Sequence, residues 1–292
     1  MSLQTSAGNA TVVQFCQVFG MHRSTYYEAC KPLGNVVPLR REPGKPRGVS
    51  LVDLLEKLRA LATDHPAWGY RKLWALLRRD GVRVAQRRVY AVCKAWGLLL
   101  SPDQPNRKPP PRGHVTVPEP NRRWATDLTT VWTAQDGVCA VTILVDCGDR
   151  SVLGLTVSKS QEAPTILAPV RAALREHFGA PGCVPGELEL RTDHGPQYTG
   201  SDCEAMCKQW NVQHTRAPVG RPTGNAVAER TIRTMKEECV WLEDFASLAA
   251  LQEALDAWRE TFNQRRPHQA LNWQTPAERR AERLGRIQQA AA

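Results

Sequence analysis

Three carboxylates in this chain are placed where they could share divalent cations. Asp193 follows the short apolar run Leu188 to Leu190 and precedes the turn signal Gly195-Pro196. That is how an acid is set at the C-terminal end of a strand, where open α/β sheets build their sites. Asp127 lies in a second strand-like run, Trp124-Ala125-Thr126-Asp127-Leu128-Thr129. Glu229 comes 36 positions after Asp193 (229 − 193), on a segment that reads as helix. Mg²⁺ wants oxygen ligands, usually takes one or two carboxylates per ion, and keeps water and substrate phosphate as the rest. Two such ions roughly 3.5–4 Å apart can activate a nucleophile and stabilise the leaving oxygen of a phosphodiester. The expectation is that Asp127 and Asp193 share one metal and that Glu229 completes a second position. A water or a 3′-hydroxyl would then attack phosphorus without a covalent protein intermediate, and no Ser/His/Asp constellation suggests one.

The residues around these acids have readings of their own. Asn225, Glu229, Arg233 and Lys236 fall at i, i+4, i+8 and i+11, one stripe of a helix. Such a stripe could hold DNA beside the metals; a Glu229–Arg233 ion pair is the plainer account. His194 could touch the scissile strand, or it could fix the turn after Asp193, which is the reading preferred. Gly195 and Gly224 would let backbone approach phosphate. Asp146 ends an apolar strand close to Asp127 and is a rival ligand, as is Asp149; the expectation for Asp146 is a structural role, paired with Arg150. Cys203 and Cys207, with His194 and His214 nearby, invite a zinc reading. The C-x3-C spacing has no second C-x2-C or H-x3-5-H pair behind it, so two small buried thiols are expected instead.

The words around the acids are more specific than their spacing. Thr192-Asp193-His194-Gly195-Pro196-Gln197-Tyr198, Gly224-Asn225-Ala226-Val227-Ala228-Glu229-Arg230 with Lys236 seven positions on, and Asn263-Gln264-Arg265-Arg266-Pro267-His268 resemble the OrfB-type transposases of bacterial insertion sequences. Those enzymes share the D-D-35-E signature of retroviral integrases. The resemblance runs from about Val13 to about Glu278. It implies Asp127, Asp193 and Glu229 as catalytic and metal-binding residues, with Mg²⁺ or Mn²⁺, two ions, as cofactor. It also implies metal-dependent cleavage and joining of double-stranded DNA at element ends, and a homo-oligomer on paired ends. A further implied partner is an upstream helix-turn-helix and zipper protein fused by frameshift; the implied setting is the bacterial cytoplasm, at the nucleoid. Two positions depart from the family pattern. Phe262 stands where Tyr is usual, so a hydroxyl role there would be lost, and Gly224 stands where Asp is common, so a side-chain helix cap is in doubt. Two rivals are kept: a non-catalytic DNA-binding regulator descended from a transposase, and a structure-selective nuclease of the same fold.

Charge and composition bound the rest. The chain has 292 residues, a net charge of +10 and 42% hydrophobic residues. That is room for about two domains and excludes wholesale disorder. No run of about 18 apolar residues appears, so no membrane partner is expected, and no secretory signal is visible. Nine cysteines without a framework read as reduced thiols. Residues 1–123 carry 21 Lys and Arg against 8 Asp and Glu, while residues 124–292 carry 18 against 21. A basic front part attached to a near-neutral body suggests a polyanion-binding arm.

In chain order, residues 1–35 read as a partial helix-turn-helix-like segment, with Arg23, Ser24 and Tyr26 outward, or as a helix pair that only packs. Residues 36–50 are a basic Pro/Gly linker. Residues 51–100 read as three amphipathic helices, Leu51 to Ala62, Tyr70 to Asp80 and Ala85 to Trp96, with leucines and Trp96 inward. Arg71, Lys72, Arg87 and Arg88 are among the cations left outside. This makes a basic helix-turn-helix-like DNA-binding module plausible, and Trp68-Gly69-Tyr70-Arg71 and Arg88-Val89-Tyr90 resemble the module ahead of the catalytic domain in the same transposases. A structural bundle with a solvated basic face is the alternative. Residues 101–120 form a Pro-rich tether with Arg107, Lys108 and Arg112. Residues 121–280 read as strands at Trp124 to Trp132, Val138 to Val145, Val152 to Val157, Leu188 to Thr192 and Val212 to Thr215. Helices are expected at Glu162 to Phe178, Ser201 to Trp210, Asn225 to Glu238 and Leu248 to Phe262. That order resembles the RNase H-like integrase core, a mixed five-stranded sheet with helices in the α/β class. The polar tail 281–292 is expected to fray.

Overall fold

The computed structural model describes residues 12–30, 49–100, 117–184, 186–217 and 225–291. The linker at 36–48, most of the Pro-rich tether with its three cations, and Gly224 lie outside the described residues. Residues 1–47 and 48–292 form two compact units. The first contains two seven-residue helices, α1 (Val12–Val18) and α2 (Arg23–Ala29).

The second unit begins with three helices: α3 (Leu51–Asp64), α4 (Tyr70–Arg79) and α5 (Gln86–Ala95). Ser50 caps α3, its Oγ accepting from the Asp53 amide at 3.0 Å. Gly81 and Gly97 follow α4 and α5 at φ +78° and +68°, and amides just beyond them turn back to Leu77 and Cys93. This left-handed exit favours glycine, and it satisfies the last carbonyls of each helix. Leu54, Leu58, Leu73, Leu77, Val89 and Cys93 meet in a dry centre. Trp96 does not join them. It is 50% exposed, with the Arg59 guanidinium 5.1 Å from its ring, because it lies past the last turn of α5 and off the buried stripe.

The body is a five-stranded mixed sheet in the order β3-β2-β1-β4-β5. Its strands are β1 (Arg123–Thr133), β2 (Gly137–Asp146), β3 (Val152–Ser158), β4 (Glu189–Thr192) and β5 (Gln213–Arg216). The first three form an antiparallel meander, and β4 and β5 are parallel to β1. Helices cover both faces, which is why β2 reads as an almost unbroken apolar run. Its Ala140 and Leu144 pack under α6 (Ala163–Ile166), α7 (Ala168–Phe178) and α9 (Ser201–Trp210). Its Cys139, Val141, Ile143 and Val145 face α10 (Ala226–Glu238) and α11 (Leu248–Gln264). A short α8 (Pro196–Thr199) precedes α9.

Two expectations are corrected here. The single helix at Glu162 to Phe178 is broken at Leu167, with a proline in the first turn of each half; Pro169 has no N–H to continue the ladder. The tail is not frayed. Residues Pro276–Ala291 form α12, and its Arg280 reaches back to the buried Asp146 and Asp149 at 3.4 and 2.7 Å. No helix of the described residues is long and apolar enough to cross a membrane.

Candidate active site

The strand order itself brings the acids together. β1 and β4 are parallel neighbours, paired Arg123 with Glu189, Trp124 with Leu190 and Ala125 with Arg191. Carried two residues further, the same offset sets Asp127 beside Asp193. Asp127 lies where the strand's side chains pass from buried to half-buried. Asp193 lies just past β4, where its Oδ1 accepts the Gly195 amide at 2.9 Å and closes the turn.

Glu229 stands in the first turns of α10, and the start of that helix is stitched to β1. Ala228 is fully buried against Ala125 and Cys147. Asn225, 4% exposed, donates from Nδ2 to the carbonyl of Thr126 at 3.0 Å. The Thr126 hydroxyl in turn donates to Ile143 O at 2.9 Å and lies 3.4 Å from the hydroxyl of buried Tyr198. So the residue preceding Asp127 is gripped from both sides of the sheet. The Tyr198 and Asn225 of the recognised words prove to be supports beneath the acids, which spacing alone did not reveal.

The electrostatics are those of an anion cluster. Burial pushes the Asp127 carboxyl up to about 6; the Leu128 amide resists, and Asp193 and Glu229 push it further. Burial also raises Glu229. Both charges acting on Asp127 are carboxylates, so the donor set is hard oxygen with excess negative charge, which suits a divalent cation held by carboxylates.

The remaining candidates separate. His194 donates from Nε2 to Ala217 O, 2.7 Å away, and so fixes the turn as preferred. Arg233 donates to Glu237 at 2.6 Å, one turn after it, whereas the Glu229 considered from the sequence lies one turn before it. Lys236 is half-buried on the same helix. Arg71, Arg87 and Arg88 are exposed on the helical unit. Lys72 is a correction: its ammonium does not join that outer face but pairs with Glu238 of α10 at 2.8 Å, and burial pulls its pKa down. Asp146 is paired with Arg280 rather than Arg150, whose backbone amide instead caps the Asp146 carbonyl.

The Asn263 to His268 word is a clamp. Asn263 exchanges two 2.9 Å bonds with the backbone of Val152. Arg266, nearly buried, forks onto Glu238 at 2.8 Å and, with Lys72, holds that acid below its usual range against burial. The His268 ring is pushed down to about 2 by burial, then by Arg266 and Lys72, and packs edge-on against Phe262 at 4.7 Å. One buried acid therefore ties α10, the helical unit and the segment after α11 together.

With this geometry in view, comparison with known proteins gives a consistent result. Residues 117–222 and 197–276 each match the integrase core domain, and residues 51–106 match the HTH-like domain. The transposase InsD for insertion element IS2A/D/F/H/I/K of Escherichia coli is 28% identical over 236 residues, 77% of each chain. InsD for insertion element IS2-9 of strain K12 aligns equally, over 77% of this chain and 76% of its own. Among solved structures, a simian T-cell lymphotropic virus intasome, in complex with PP2A regulatory subunit B56 gamma, covers 76% of this chain and 74% of its own at 18% identity and TM-score 0.45. The HTLV-2 integrase catalytic core, solved in complex with magnesium, covers 56% and 97% at 18% identity and TM-score 0.39. The two integrase-core matches together span more than half of the chain, the HTH-like match falls on the three basic helices, and the chain is an insertion-element transposase with an integrase-like core, similar to InsD.

Proposed function

We propose that Asp127, Asp193 and Glu229 are the catalytic carboxylates of this transposase and that they hold Mg²⁺ or Mn²⁺, two ions, while DNA strands are cut and joined at element ends. One observation carries the reading: neighbouring parallel strands bring Asp127 to Asp193, and the charges acting on Asp127 are both acidic. Bound there, the metal would supply charge neutralisation at the scissile phosphate and a more acidic nucleophile. The chain's own residues do the positioning. Asn225 bonds the carbonyl and Tyr198 lies against the hydroxyl of Thr126, the residue before Asp127, Gly195 holds the Asp193 carboxylate, and His194 holds the turn. The test is nicking and strand joining on a terminal-repeat duplex with Mg²⁺, with EDTA as control. A purified, folded, DNA-binding protein that neither nicks nor joins would instead be the non-catalytic regulator.

Residues 51–100 are read as the DNA-binding module and 121–280 as the catalytic core, with Arg71, Arg87 and Arg88 contacting phosphates. The exposure of these arginines and the +13 charge of residues 1–123 support this. Lys236 and Arg233 would flank the DNA beside Glu229. The family supports three further readings: a homo-oligomer on paired ends, an upstream helix-turn-helix and zipper product fused by frameshift, and a cytoplasmic setting. A gel shift comparing terminal-repeat with scrambled DNA checks the fusion. A preference of about a thousandfold by this chain alone, as a full specific binder shows, would remove the need for a partner.

A further inference from the structure

Behind Asp193 lies a second cluster with different chemistry. Cys203 and Cys207, i and i+4 on α9, and His214 on β5 bring their ligand atoms within 4.8 Å of one another, the sole group of three or more among the described residues to do so. The three carboxylates proposed above are not drawn that close. Both thiols are buried, at 0% and 4% exposure, and His214 is half-buried. Cys203 Sγ lies 3.9 Å from His214 Nε2. Tetrahedral zinc, with bonds of about 2.3 Å to sulfur and about 2.0–2.1 Å to nitrogen, would set such a pair about 3.6 Å apart. That pair is thus within a few tenths of an ångström of a zinc-binding separation, and the other pairs lie within 4.8 Å.

We infer that Cys203, Cys207 and His214 form a site for one Zn²⁺ that braces α9 and β5 against the strand end bearing Asp193. Charge selects a divalent ion, and thiolate and imidazole donors suit zinc. Two thiolates and a neutral imidazole around Zn²⁺ sum to zero, as a buried site requires, whereas a monovalent cation would leave a buried negative charge. Ligation as thiolates releases the thiol protons to solvent and needs no oxidant or reductant. The fourth position falls to water. His214 Nε2 also lies 3.0 Å from the Thr192 hydroxyl, which donates to Asp193 O, so the cluster touches the residue before the proposed catalytic acid without sharing any of its ligands; ligation through Nε2 moves the imidazole proton to Nδ1 and gives up the hydrogen bond to Thr192.

The sequence left this reading behind because C-x3-C lacked a second pair; the third ligand comes from a neighbouring strand. The test is cobalt and zinc titration of the full chain, purified under reducing conditions and stripped of metal. About one equivalent of Co²⁺ should give a thiolate-to-cobalt charge-transfer band and tetrahedral visible bands, and Zn²⁺ should bleach both. Carboxylate-bound Co²⁺ gives no thiolate band, so Asp193→Asn should leave the signal intact, whether or not the proposed catalytic assignment holds. Cys203→Ser, Cys207→Ser and His214→Ala should each weaken Zn²⁺ at least about tenfold, with Cys183→Ser, at an exposed thiol, unchanged. Failure of the wild-type chain to give the charge-transfer band overturns the inference, independently of whether any variant folds. So does a band that survives Cys203→Ser and Cys207→Ser in folded protein.

Discussion

Two groups of buried or half-buried acids lie on adjacent strands, and they have opposite surroundings. Asp146 and Asp149, at the end of β2, are fully buried, yet Arg280 bonds both and the amides of Asn121 and Gly148 bond Asp146 at 2.7 Å. Even so, burial and Asp149 push Asp146 up to about 7. Asp127, set beside Asp193 by the register of β1 and β4, has one backbone donor and only further acids for charge partners. A carboxylate pair that carries its own arginine is complete; a cluster that gathers negative charge without one is suited to a cation from solution. From the sequence Asp146 was a rival metal ligand, and the distinction depends wholly on Arg280.

The largest expected effect breaks the acidic cluster. Asp127→Asn, Asp193→Asn or Glu229→Gln should lower strand joining with Mg²⁺ by at least about a thousandfold, about 4 kcal/mol of lost transition-state stabilisation, with DNA binding retained. Wild-type joining by any one of them in a gel assay removes that residue from the proposed set. Next, Arg280→Met should cost about 3–5 kcal/mol, since it leaves two buried acids without their cation. Urea midpoints measure this, and Mg²⁺ should not restore it. A variant as stable as the parent would mean that the two acid groups are not different in kind.

The third effect has the opposite sign. Asp127 holds its proton more tightly when folded, about 6 against an ordinary 3.8, so its contribution to stability is fully present below about pH 3.8 and is lost as pH rises to 6. Without metal, Asp127→Asn should therefore be more stable than wild type by about 2–3 kcal/mol above pH 6, with little difference near pH 4. Urea melts in EDTA across that range test it; a gap that shrinks as pH rises contradicts the assignment. The smallest effect carries the same contrast to the cations. Arg87→Ala and Arg88→Ala should each reduce the salt slope of DNA binding by about one, while Lys72→Ala, whose parent ammonium already serves Glu238, should leave it unchanged.

Much of this was legible in the sequence because its causes are local. The leucine stripes of the three basic helices and the unbroken apolar run of β2 each report the environment of one element. The acids were found through the words around them, whose turn residues and glycines are also local requirements. What failed was reading ends and partners. Trp96 fell beyond a helix end, the stretch after Arg280 was expected to fray because it is polar although it continues α12, and Arg280 is 134 positions from the Asp146 it reaches.

Local patterns in the sequence determined that this chain joins a basic helical module to an α/β core, with one acid within a strand, one just past a strand end and one on a helix. Those properties follow from periodicity and from turn chemistry within a few residues. The tertiary structure alone decided which charges meet. It placed Lys72 on Glu238, Arg280 on Asp146 and Asp149, and His214 beside Cys203 and Cys207, and it gave Asp127 acidic neighbours only. Charge pairing and burial depend on groups far apart in the chain brought within a few ångströms, and desolvation makes those few contacts count; no local pattern records either.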